Sequence, residues 1–171
     1  MGFLRHDDIE NGRRFQMKEK LIAIGDDSWI EDDQGERVYK VDGKAMRIRE
    51  TFILEDRDGN EVAKIQEKKL SVRNKMRIER DGNTVATVNK ALIGIRDRFH
   101  VEMEDGEDLK AHGNVVDHEY KIERDGDVIA TVPKKWFRVR DTYGVEIRGG
   151  EDEPLLLALT VALDEMSRGR D

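Results

Sequence analysis

With 171 residues, no cysteine and a formal net charge of −7, the chain has the length of one domain but neither a disulfide framework nor a thiolate for catalysis or zinc. Charged residues make up 40% and hydrophobic ones 37%. The apolar share is placed periodically, which excludes disorder outside the ends, and the acidic balance argues against nucleic acid as a partner.

In chain order, residues 1–12 read as a short N-terminal tail. The Met-Gly start does not make an N-myristoylation signal, because His6 stands where serine or threonine is needed. Nothing resembles a signal peptide, so the expected location is cytoplasmic. From Arg13 a pattern runs six times, over residues 13–35, 38–59, 62–82, 85–106, 109–126 and 129–149. Each copy has an alternating apolar run such as Val62-Ala63-Lys64-Ile65, then a charged turn such as Ile95-Arg96-Asp97-Arg98. A lead residue, a second alternating strand and a glycine turn follow. The leads are Trp29, Phe52, Met76, Phe99, Tyr120 and Tyr143; the glycines are Gly35, Gly59, Gly82, Gly106, Gly126 and Gly149. Alternation marks half-buried strands, and Asp58-Gly59, Asp81-Gly82, Asp105-Gly106 and Asp125-Gly126 are hairpin dipeptides. Two strands per copy predict twelve antiparallel strands.

Residues Pro154 to Met166 break the pattern. Leu155 to Leu163 carries no charge and is apolar on every helical face. Pro154 suits a first turn, and Glu151, Asp152 and Glu153 suit its positive end. A membrane-spanning helix needs about 20 apolar residues, so this segment is too short, and the chain is not expected to be an integral membrane protein. A helix apolar all round must be buried in protein. A barrel of about eight strands fills its own interior; twelve strands enclose more, and the helix fills it. The prediction is a mainly β protein, a twelve-stranded antiparallel barrel enclosing a central hydrophobic C-terminal helix. One domain spans 13–167, with the helix at about 154–167 and a tail at 168–171.

Several segments together resemble the LURP-one-related family: Lys20 to Asp32, Val41 to Ala45, Ile65 to Leu70, Val115 to Tyr120 and Arg138 to Val145. The resemblance spans roughly residues 13–166. The family fold is similar to the C-terminal domain of tubby proteins and to phospholipid scramblases. What the resemblance implies is a twelve-stranded barrel around a hydrophobic helix, and little about activity. Tubby domains bind phosphoinositides through a basic pocket and scramblases act at membranes, but no tubby lipid-contact motif maps onto a position here.

No catalytic constellation stands out. Histidines 6, 100, 112 and 118 lack metal-ligand spacing. An enzymatic site at His112 and His118, with Asp117 orienting His118, is the weaker alternative to a turn in which His118 takes the slot of Asp97 and Asp141. Asp56 to Gly59 superficially resembles a calcium loop but lacks its ligand spacing. No metal and no cofactor are expected.

Charge is more informative. In an up-and-down barrel alternate turns lie at opposite ends. In the six glycine-turn segments acidic residues outnumber basic ones more than four to one, while the rest of the chain carries a cationic excess. Lys68, Lys69, Lys90, Lys134 and Lys135 fall at related places in their copies, with Arg138 nearer the turns and Trp136 among them. A cationic band with an embedded tryptophan suits an anionic lipid headgroup or a phosphorylated ligand at a membrane surface; the plainer reading is solubilisation of the outer wall. The expected function is therefore a non-catalytic binding or scaffold protein using that basic face. The alternative is a protein-interaction module using the acidic glycine-turn rim.

Overall fold

The computed structural model describes residues 9, 11–18, 27–42, 51–67, 75–91, 97–114, 119–133 and 142–168. Twelve strands come first: β1 (Arg13–Lys18), β2 (Asp27–Asp32), β3 (Arg37–Asp42), β4 (Thr51–Asp56), β5 (Glu61–Glu67), β6 (Lys75–Arg80), β7 (Asn83–Lys90), β8 (Asp97–Met103), β9 (Leu109–Asn114), β10 (Glu119–Arg124), β11 (Asp127–Val132) and β12 (Thr142–Ile147). Helix α1 (Glu153–Arg168) follows. Strands pair antiparallel with their neighbours in sequence, and β1 closes the barrel on β12 from Arg13↔Ile147 to Lys18↔Thr142. This is the expected barrel. Closure leaves no sheet edge open to further pairing.

Strand alternation turns one side chain in two toward the lumen. Phe15, Phe52, Ile65, Ile78, Val88, Phe99, Ile122 and Val145 are buried there. Register corrects one lead residue. Ser28 pairs with Val41 and Ile30 with Tyr39, so Trp29, opposite Lys40, faces the other way. Val41 and Ile30 are fully buried and Ser28 nearly so. The position that Phe52 holds in β4 thus belongs in β2 to Ser28. A shift of one residue inverts the face, and Trp29 lies half-buried on the outer wall. Its ring is flanked there by the Arg37 guanidinium at 5.3 Å and the Lys40 ammonium at 5.9 Å.

Four hairpins share an irregularity that the sequence reading did not anticipate. The ladder steps from Tyr39 to Arg37, from Ala63 to Glu61, from Ala86 to Thr84 and from Ala130 to Val128, each opposite two consecutive residues of the partner strand. The extra residue is β-branched and apolar every time: Val38, Val62, Val85 or Ile129. A bulge adds twist and bends its strand. Here it also seats an apolar side chain against the core just inside the glycine turns. The exposed carbonyls find donors: Arg80 Nε to Val62 O, Glu104 N to Val85 O, and Arg148 N to Ile129 O.

The glycine turns are of more than one kind. Asp81 (φ 50°) and Gly82 (79°), like Asp125 (50°) and Gly126 (83°), both adopt positive φ, as a two-residue hairpin turn with matching twist requires. At the last turn the positive φ falls on Gly150, not Gly149. Gly149 answers a different demand, because a Cβ there would come within 2.9 Å of Asn11 O.

Helix α1 starts at the glycine-turn end and runs into the lumen. Asp152 caps it, its Oδ1 accepting from Leu155 N at 3.2 Å. Leu156 to Leu163 are buried, and each fully buried leucine contributes roughly 1.5–3 kcal/mol. The helix lies closest to β5, β6 and β7. It is not apolar all round, however. Thr160, Asp164 and Ser167, one to two turns apart, are all buried as well.

Candidate functional site

The described residues hold most of the glycine-turn rim, and its carboxylates do three kinds of work. Some shape turns. Asp32 Oδ1 accepts from Gln34 N and Glu36 N, and Asp56 Oδ1 accepts from Asp58 N and Asn60 N, all at 2.9 Å. The Asn60 backbone N–H, joined by its side-chain amide, holds the Asp56 carboxyl below its ordinary value.

A second group closes the barrel mouth. Glu153 takes Arg13 of β1 at 2.9 Å, with the Tyr39 hydroxyl of β3 donating at 3.5 Å. Asp152 takes Arg80 of β6, and Glu151 takes both Arg124 of β10 and Arg148. Burial pushes the Glu151 carboxyl up, yet hydrogen bonds and charge from Arg124 and Arg148 outweigh it and hold the group below the ordinary glutamate value. The run Glu151-Asp152-Glu153 is therefore an ionic lid, tying the start of the helix to widely separated staves. Sequence reading placed these acids at the helix's positive end but could not see the arginines, which stand far from them in the chain.

The third group faces solvent. Asp33, Asp58, Glu104, Asp105, Glu107, Asp125 and Asp127 are exposed around the mouth. A recess of about 630 Å³ opens between the β8–β9 and β10–β11 turns, lined by Glu107, Asp108, Glu123 and Asp125 with one cation, Lys110. Two histidines flank it on the outer wall. His100 Nε2 lies 3.2 Å from Asp108 Oδ2, and His112 Nε2 lies 3.0 Å from Glu123 Oε1. The partner of His112 is thus a rim carboxylate. Asp117 and His118, its companions in the enzymatic alternative, lie outside the described residues. Among the described residues, no group of three or more His, Asp or Glu side chains is placed to hold a metal ion.

Of the basic-face residues, Lys68, Lys69, Lys134, Lys135, Trp136 and Arg138 lie outside the described residues. Lys90 ends β7 with its ammonium 5.6 Å from the centre of the Phe99 ring. Among the described residues, no helix is long and apolar enough to cross a membrane.

The architecture defines a class: a closed, up-and-down antiparallel barrel with an apolar helix in its lumen. The LURP-one-related family model matches residues 13–164, and the chain belongs to that family. An X-ray structure of an Arabidopsis thaliana protein is similar to it, with a TM-score of 0.70 at 17% sequence identity, covering 98% of this chain and 99% of that one. At that identity the likeness is one of fold. No curated protein matches the chain.

Proposed function

We propose that this protein is a non-catalytic binding module that presents its acidic rim to a basic segment of a partner protein. The observation that supports it best is the recess at the β8–β9 and β10–β11 turns. Four carboxylates line it against one lysine, and Glu104, Asp105 and Asp127 are exposed on the same two turns. Lysine and arginine side chains suit such a recess, because exposed carboxylates raise the association rate of a cationic partner and favour it over anionic ones. The neighbouring carboxylates at the mouth are already engaged by arginines, which leaves the turns as the presenting surface.

An oligo-arginine peptide tests this by titration calorimetry. We expect binding that weakens several-fold between 50 and 300 mM salt, and weakens again in the double variant Glu107→Gln/Asp125→Asn. Absence of binding at low salt, or equal binding by the variant, would overturn the reading. Sedimentation with anionic vesicles in the same experiment covers the basic-face alternative. Partitioning to anionic but not neutral vesicles, without peptide binding, would move the assignment there.

A further inference from the structure

A closed barrel has no free edge, but its ladders need not be equally full. Among the described residues, β1 and β12 pair along their whole length, from Arg13↔Ile147 to Lys18↔Thr142. On their other flanks both strands are held only briefly. β1 meets β2 at Phe15↔Asp32 and Gln16↔Glu31, and β12 meets β11 at Ala130↔Ile147 and Thr131↔Glu146. Ladders further round the barrel are longer, as from Tyr39↔Asp56 to Asp42↔Ile53 and from Glu119↔Asn114 to Arg124↔Leu109. Pro133 follows β11 directly and has no N–H with which to extend its ladder.

Residues ahead of β1 reinforce the full ladder from outside. Gly12 N donates to Ile9 O at 3.1 Å, closing a turn in which Asn11 takes a φ of 53°, a conformation asparagine tolerates better than most residues. Ile9 is 9% exposed yet lies outside the core cluster of the lumen. Alternation points Glu146 away from the lumen. The outward Lys64, Arg77, Thr87 and Lys121 are half-buried, whereas Glu146 is only 6% exposed. The Gly12 backbone lies against it, since a Cβ there would come within 2.9 Å of Glu146 Cγ and Oε1. A Cβ on Gly149, just beyond β12, would come as close to Asn11 O. The turn that starts at Ile9 thus runs into β1 and rests on β12 and the turn after it. We propose that Ile9, Asn11 and Gly12 strap β1 and β12 into one rigid ribbon, and that the barrel opens along β1–β2 and β11–β12, on either side of this ribbon, not at the β1–β12 closure. Proteins open locally where the fewest interactions must break, so the short ladders yield before the full one. Opening there uncovers the lumen without parting the first strand from the last.

Amide hydrogen exchange on the full chain, read residue by residue by NMR, tests this. Amides bonded between β1 and β12 should exchange about tenfold or more slower than those bonded across β1–β2 and β11–β12. Equal or faster exchange across β1–β12 would overturn the ribbon. The strap is tested by Gly149→Ala. Gly149 does not have the positive φ that alanine resists, so the added methyl acts by driving the Asn11 carbonyl away. Exchange across β1–β12 should then rise about tenfold, with β5–β7 kept at the parent's rates. No rise, or an equal rise in β5–β7, would overturn the strap. If that variant does not fold, Ile9→Asn, which keeps both glycines, is read by the same two outcomes.

Discussion

Between Leu156 and Leu163 the helix is buried to within 1% of zero exposure, whereas just before it, at Glu151–Glu153, it is tied by guanidiniums that are a third to a half exposed. The two regions hold the same element by different physics. Burial of apolar surface is strong and non-directional; it keeps the helix in the lumen but would accept it at several heights and angles. Exposed ion pairs are individually weak, yet each names one stave of the barrel. Together they set where the helix enters.

Breaking the buried region has the largest expected effect. Leu159→Asp places a charge at a fully buried position, at a cost comparable to the whole stability of a domain, about 5–15 kcal/mol. We expect no cooperative thermal transition and recovery only from inclusion bodies. A soluble variant that melts cooperatively would show that the helix is not the core.

Breaking the lid should do much less. Glu151→Gln weakens its bonds to Arg124 and Arg148. With both arginines about a third exposed, we expect a loss of roughly 1 kcal/mol, a fall of about 2–4 °C in melting temperature. The pH dependence has a definite sign. Because the folded-state Glu151 carboxyl lies below its ordinary value, its contribution is complete above about pH 4.5 and is lost as pH falls through the depressed value. Denaturant midpoints measured from pH 7 to pH 2 should therefore drop below pH 4.5, and drop less steeply in Glu151→Gln. Parallel curves would remove Glu151 from the account. Smallest of all, Arg13→Gln at a half-exposed site should cost about 0.5 kcal/mol or less. A loss as large as that from Glu151→Gln would mean that the lid acts as one network rather than as separate pairs.

The barrel was legible in the sequence because its evidence is local: alternation, the glycine of each turn, and their spacing. What escaped reading depends on register and on distance along the chain. Trp29 looked like a lead because it is aromatic and correctly spaced, but strand register, which spacing does not encode to one residue, assigns the inner position to Ser28. The bulges left a trace that could have been caught, since Val62-Ala63, Val85-Ala86 and Ile129-Ala130 each set two apolar residues side by side where strict alternation forbids it. The lid was half visible, as acids without their arginines. Thr160 lies inside the run read as apolar on every face, and its hydroxyl is buried there. Asp164 lay beyond the run judged apolar, and only a closed wall makes its burial apparent. The acid-rich rim was foreseen as one surface; the structure divides it among turn-shaping, lid-forming and solvent-facing carboxylates.

The ladder between β1 and β12 joins the first strand to the last. On the ribosome this means that β1 waits, with one flank unpaired, until β12 has been synthesised, and that the helix arrives later still. During that interval the nascent protein is an open sheet with one apolar face uncovered and two edges able to pair with other chains. Newly made copies are thus exposed to aggregation in a way the finished barrel is not, and slow synthesis of the segment that carries β12 and α1 would lengthen the hazard.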